Sequence, residues 1–235
     1  MYKSIFLLLF FLIFSDLKGQ EINNGRIVYK ASTIQRDLSL LKNASFETTE
    51  RIQNLYKNAS DLDVELIFNR DLSQYKLIEH LAFKDGEQIN LTYVASGSDH
   101  IYFQKPKTFE VINQTSTLGE TFLVSSRFPE WEISGETKHI GNYKVYKAWL
   151  SSSENNSVIA WFTPEINYPY GPLGYGGLPG LILELQDSKV LFKMKSLNFN
   201  LESLELNEPS KGKKVTKQEY KDIAKKSMPG FFKKN

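Results

Sequence analysis

Residues 171–185 read Gly-Pro-Leu-Gly-Tyr-Gly-Gly-Leu-Pro-Gly-Leu-Ile-Leu-Glu-Leu, five glycines and two prolines running directly into an apolar pentapeptide. Glycine permits close backbone approach and unusual φ, and proline stiffens the chain, so 171–180 predicts a rigid loop. Leu181–Leu185 predicts the strand that leaves it. A phosphate-cradling loop would need a helix next, opened by Lys and Ser or Thr. A strand follows instead, and Pro179 removes one of the amides such a site uses. The loop is therefore expected to be structural, folding across a sheet edge or the rim of a bowl. Tyr168, Tyr170 and Tyr175 would offer it flat surfaces for a ligand.

Outward from this stretch the pattern is one of short strands. Val158–Thr163 precedes the loop, and Val190–Leu197 pairs with Leu181–Leu185 around Gln186-Asp187-Ser188. Upstream, Trp131–Lys138 and Tyr143–Ser151 form a hairpin through His139-Ile140-Gly141-Asn142. Tyr143, Val145, Lys147 and Trp149 alternate with Lys144, Tyr146, Ala148 and Leu150, which places the two sets on opposite faces. Further strands are expected at Gly25–Ala31, at 61–69 with Val64, Leu66 and Phe68 inward, and at Ser73–Leu81. Ile89–Val94, His100–Phe103, Thr108–Asn113 and Glu120–Ser125 continue the series. Asn69-Arg70-Asp71, Asp85-Gly86 and Glu154-Asn155-Asn156 supply turns.

Two regions break this period. Leu38, Leu40, Leu41, Ile52, Leu55 and Tyr56 recur at helical spacing, which fits one or two helices with Thr48 or Thr49 as cap. Residues 207–214 read as a polar connector. Thr216-Lys-Gln-Glu219 is a capping box opening a short helix that Pro229-Gly230 ends. The expected fold is mainly β, a curved antiparallel sheet of about eleven strands, either bowl-like (a half-barrel) or a sandwich.

Lys3, the ten-residue apolar run Ile5–Phe14 and the polar Ser15–Gln20 read as a secretory signal over 1–19. That run is half the length a spanning helix needs, ~20 residues. The chain then divides into a β domain over 20–210 and a basic tail over 211–235, whose nine lysines face only Glu219 and Asp222. Such a tail can touch anionic lipid at most peripherally; a solvated helix face is its commoner meaning. No basic stretch with interleaved aromatics points to nucleic acid. The chain has no cysteine, which removes thiolate metal sites, cysteine nucleophiles and a lipoprotein anchor. Export to a bacterial envelope, periplasmic or extracellular, is the expected destination. In that setting the Asn-x-Ser/Thr triplets at Asn43, Asn58, Asn90, Asn113 and Asn155 are coincidental.

Motifs of catalysis are sparse. His80, His100 and His139 lie at no metal-ligand spacing, and no Gly-x-Ser-x-Gly elbow occurs. No metal and no cofactor is implied. Glu165 and Glu184 flank the loop and could serve a carboxylate-dependent hydrolase of carbohydrate or peptide. Trp149, Trp161 and Phe162 could instead line an apolar concavity that carries a ligand.

Gly177-Leu178-Pro179-Gly180-Leu181-Ile182 spells the signature of the GLPGLI family, and its context is similar over about 130–195. The similar segments are Val158-Ile-Ala-Trp161-Phe-Thr-Pro-Glu-Ile166, Gly171-Pro172, and Thr137–Ala148 upstream. The chain departs from that pattern at Val145, where many members carry cysteine. The resemblance implies a small exported protein of Gram-negative bacteria, often encoded beside outer-membrane receptors. It carries over no catalytic residues. The expectation is a non-enzymatic envelope protein that binds an apolar small ligand or an outer-membrane receptor.

Overall fold

The computed structural model describes residues 22–35, 45–78, 89–117, 119–151 and 158–227. The leader at 1–19, Leu38, Leu40, Leu41, His80, Asp85-Gly86, Glu154-Asn155-Asn156 and Pro229-Gly230 lie outside the described residues.

Twelve strands form one open, curled sheet. They are β1 Asn24–Thr33, β2 Leu62–Asn69, β3 Ser73–Leu77, β4 Ile101–Lys105, β5 Glu110–Thr117, β6 Glu120–Arg127, β7 Trp131–Ile140, β8 Tyr143–Leu150, β9 Ile159–Thr163, β10 Leu181–Gln186, β11 Val190–Phe199 and β12 Lys213–Thr216. Their spatial order is β12-β6-β5-β4-β3-β2-β1-β11-β10-β9-β8-β7. The connectivity forces the curl. β6 and β7 stand ten strand steps apart in this order, which a flat sheet would stretch over ~48 Å. Only three residues separate Arg127 from Trp131, a reach of about 14 Å. The two ends of the sheet must therefore come round to meet. The mainly β reading with a curved antiparallel sheet holds, in the bowl-like form.

Local chemistry explains most elements. Val64, Leu66 and Phe68 of β2 are buried on one face as their alternation requires. Asn69 Oδ1 accepts from the amides of Asp71 (2.9 Å) and Leu72 (2.9 Å), which turns β2 into β3. The β7–β8 hairpin closes on the two residues Gly141-Asn142, with Gly141 at φ 57°, so its strands reach further than the His139–Asn142 turn allowed. Val145 and Ala148, on opposite faces by alternation, are both buried in the main core, and the hairpin tip at Gly141 lies near Met194 of β11.

Three expectations need correction. Ile89–Val94 is not a strand: Leu91–Ala95 forms the short helix α2, after α1 at Phe46–Lys57. Asn90 Oδ1 accepts from Thr92 N at 3.0 Å, and this cap outweighs an apolar alternation that finds nothing to bury. Ile89 and Val94 stay 57% and 53% exposed. The cap of α1 is Ser45, whose Oγ accepts from Thr48 N at 3.2 Å, not Thr48 or Thr49. Those threonines fall inside the first turn. The connector 207–214 runs into β12, which pairs parallel to β6 through Val215 and Val124. With β12 the sheet has twelve strands and one parallel pair. The C-terminal helix α3, Lys217–Ser227, opens on the expected capping box. Thr216 N donates to Glu219 Oε2 (2.7 Å), and Glu219 N donates to Thr216 Oγ1 (3.2 Å).

Large aromatic side chains occupy the interior of the curl. Tyr29, Phe68, Tyr75, Tyr170 and Phe192 fill it with tilted and edge-on rings, Phe68 lying 4.8 Å from Tyr168 and Tyr75 6.1 Å from Phe192. Every buried phenol reaches a carbonyl: Tyr29 Oη donates to Ile182 O (2.6 Å), Tyr75 to Ser96 O (2.8 Å) and Tyr170 to Asn69 O (3.1 Å). Burial pushes the pKa of Tyr29 and Tyr75 well up, so these donors stay protonated.

Candidate functional site

The glycine-rich segment between β9 and β10 does not ride along an edge or rim. It folds inward as a plug. Gly171 sits against β4, where Gln104 Nε2 donates to Gly171 O (2.5 Å) and Gly171 N donates to Gln104 Oε1 (3.4 Å). Gly176 O accepts from the indole Nε1 of Trp131 at 2.9 Å, which ties the plug to β7 at the other end of the sheet. Gly177 N donates to Pro169 O (3.0 Å), and Ile182 N to Tyr170 O (3.0 Å), folding the segment onto itself. One turn of 3-10 helix, Pro172–Gly174, carries Leu173 in the left-handed region at φ 54°.

Most of the family-like motif is thus interior, with Gly177 and Pro179 exposed at the surface. Leu178, Leu181 and Ile182 are buried, and Gly177, Pro179 and Gly180 shape the backbone between them. Of the six aromatic residues expected to line a ligand, Phe162, Tyr168 and Tyr170 belong to the packed core. Trp161 lies on the outer face, paired in register with Lys147 and Glu184, with the Lys138 ammonium 4.2 Å from its ring centroid. Trp149 is on that face too, its indole donating to Glu132 Oε2 at 3.1 Å. Trp149 and Trp161 therefore share no concavity with Phe162. Of the six, Tyr175 is the one that lines the clefts described next.

Two clefts open on either side of Tyr175. The first, about 510 Å3, lies between α1, α2 and the β10–β11 turn, and includes Tyr56, Leu91, Val94, Asp187 and Lys189. The second, about 620 Å3, lies where the sheet's two ends approach. Val111 and Val124 come from β5 and β6, Leu150 from β8, Leu173 and Tyr175 from the plug, and Tyr220 from α3. Burial raises the pKa of Tyr175 to about 12, helped by the negative charge of Asp187, and burial does the same for Tyr102 on the cleft floor. Both rings present neutral phenols at physiological pH. Sequence reasoning missed Gln104, Tyr102 and Leu173. Only Leu173, sitting within the glycine-rich stretch, gave a local signal.

His100 lies in a smaller polar hollow of about 250 Å3. Its Nε2 is 2.8 Å from Thr115 Oγ1 and its Nδ1 is 3.3 Å from Asn113 Nδ2. Burial lowers its pKa, while Asp99 pulls weakly the other way. Glu165 and Glu184 each have a structural partner. Glu165 Oε1 accepts from Lys144 N at 3.1 Å beside the hairpin tip. Glu184 Oε1 is 2.7 Å from Lys138 Nζ. Among the described residues no group of three His, Asp or Glu side chains is arranged to hold a metal ion.

Residues 150–184 match the family model described as a protein of unknown function (Porph_ging). That segment runs from the end of β8 through β9 and the plug into β10. No curated protein matches the sequence. Among solved structures, the chain is similar to PNGF-II in its C2 space group, with 17% identity and a TM-score of 0.55 over 87% of this chain and 33% of that one. PNGF-II in the P21 space group gives 18% identity and a TM-score of 0.55 over 87% and 34%. The chain therefore spans about a third of the length of PNGF-II, and the likeness is one of fold.

Proposed function

We propose that this chain is an exported, non-enzymatic envelope protein of the GLPGLI type that binds a small ligand in the larger cleft beside Tyr175, in an accessory role to an outer-membrane partner. The observation that carries the reading is the plug. It packs into the curl and presents Leu173 and Tyr175 as one wall of a cleft whose other walls are β5–β6, β8 and α3. A pocket of about 620 Å3 with an apolar floor and convergent polar groups suits a small molecule. The N-terminal leader pattern and the lack of cysteine support export. The match at 150–184 and the motif Gly177–Ile182 support the family. No described helix is long and apolar enough to cross a membrane.

The hydrolase alternative is served less well, because Glu165 and Glu184 are engaged by Lys144 and Lys138 rather than presented together at a cleft. The test is native mass spectrometry of the mature protein purified from its own envelope, beside the variant Ser126→Trp, which fills the cleft. A released small molecule carried by the wild type and missing from the variant supports the reading. Ligand-free wild type, or equal occupancy in both, refutes it. Turnover of a carbohydrate or peptide substrate, lost in the Glu165→Gln/Glu184→Gln double variant, would replace it with the hydrolase.

A further inference from the structure

The charge around the larger cleft is one-sided. Arg127 at the end of β6, and Lys217 and Lys221 on α3, all border it, and no Asp or Glu is among its lining residues. The smaller cleft differs: Asp187 and Lys189 both line it and offset each other. Lys217, Tyr220 and Lys221 stand at i, i+3 and i+4, the spacing that puts three side chains on one helix face. That face is turned inward by Tyr220, whose hydroxyl is 2.6 Å from Thr117 and whose ring packs edge-on against Phe122.

The two acids of α3 itself are hydrogen-bonded to other groups. Glu219 holds the Thr216 backbone and hydroxyl in the capping box. Asp222 accepts from Gln218 Nε2 at 3.2 Å. None of the three cations is in an ion pair with a carboxylate among the described residues. Lysines one helical turn apart repel each other, so the arrangement carries a standing cost that a bound anion would relieve. Beneath the charges lies apolar surface from Val111, Val124, Leu150 and Leu173, flanked by the rings of Tyr102 and Tyr175. An inorganic anion would leave that floor unused, and a neutral apolar molecule would leave the cations unmet.

Resting on the ligand-binding reading above, we infer that the cleft selects small organic anions: an apolar aryl or acyl body on the Val111–Leu173 floor, and a carboxylate or similar anionic head held by Arg127, Lys217 and Lys221. A carboxylate facing cations forms charge-assisted bonds that an amide of the same shape cannot.

The test titrates 2-naphthoate and its uncharged isostere 2-naphthamide into the mature protein by calorimetry at pH 7 and low salt, with octanoate and octanamide as the acyl pair. Either acid should bind at least about tenfold more tightly than its amide, a difference that shrinks as salt screens the head group. Which acid binds better names the body. In Arg127→Gln/Lys217→Gln/Lys221→Gln the acid should fall to the affinity of its amide while the melting temperature holds, since all three side chains are exposed. Equal binding of acid and amide, abolished by Ser126→Trp, would overturn the anion inference and keep the cleft. Undiminished acid binding by the triple variant would overturn it as well. If neither acids nor amides bind, the inference and the ligand-binding reading fall together.

Discussion

Gly180 is the tightest point of the plug and offers the sharpest measurement. It sits at φ +151°, outside the range of L side chains, where the chain leaves the loop for β10. A Cβ added there would lie 2.6 Å from the carbonyl carbon of Thr163 and 2.9 Å from Pro164 Cα, closer still to the Thr163 oxygen. All three are backbone atoms of the neighbouring strand end, so no rotamer change relieves the clash. Holding a non-glycine residue in such a conformation costs ~1–3 kcal/mol, and forcing added volume into packed surroundings costs a further ~1–3 kcal/mol. Gly180→Ala should therefore lose about 4 kcal/mol, or about 8–16 °C in melting temperature at ~2–4 °C per kcal/mol for a chain of this size. Gly135→Ala is the control. Gly135 has no positive φ, and a Cβ added there would meet no atom within 4 Å, so its substitution should stay within ~0.5 kcal/mol. Differential scanning calorimetry of both variants under one buffer decides the matter. A Gly180→Ala protein melting within about 2 °C of wild type, by the same conversion, would refute the claim that the motif clamps the fold.

Gln104→Leu keeps the volume but strips the paired bonds to Gly171, leaving a buried N–H and C=O without those partners; a loss of about 2–4 kcal/mol is expected in urea denaturation, against little change if the plug is held by packing alone. His100 gives a pH signature. Burial lowers its folded pKa below the unfolded value near ~6.5, so the unfolded chain takes up the proton first. Its contribution is complete above ~6.5 and is lost as pH falls from there toward the folded value. The urea midpoint should drop between pH 7.5 and 5.5 in wild type and less so in His100→Gln; equal drops would remove His100 as the cause. Thr216→Ala opens the capping box at the start of α3 and should cost ~1 kcal/mol, with faster amide exchange through 217–221 by NMR; exchange that stays at the wild-type rate would mean the helix is held by Tyr220 and Ile223 instead.

Elements whose stability is local were legible in the sequence. The alternation Val64-Leu66-Phe68, the hairpin turning within His139–Asn142 and the Thr216–Glu219 box each state their own geometry within a few residues. Elements that depend on a distant partner were not. Residues 213–216 present one apolar side chain, Val215, among lysines, and only the edge of β6 makes them a strand. Ile89–Val94 alternates like a strand, yet the cap at Asn90 and the lack of any surface to bury Ile89 and Val94 turn it into a helix. The glycine-rich segment was recognisable as rigid, but its position was not, because its anchors Gln104 and Trp131 lie 67 and 45 residues away from the glycines they hold.

Those same anchors explain how a largely buried motif can matter to a surface cleft. Gln104 belongs to β4, on the side of the sheet that leads to β6, and Trp131 belongs to β7, at the opposite end. The plug therefore bridges the seam at which the curl nearly closes, and the larger cleft is the part of that seam left unfilled. Its width is set by where Gly171 and Gly176 are pinned, because Leu173 and Tyr175 stand between those two points. Substitutions in Gly177–Ile182 that touch no ligand should then act on binding through the placement of that wall. A ligand in the cleft, held between β6, α3 and the plug, would in return tie the two ends of the sheet together and raise the stability of the whole chain by mass action.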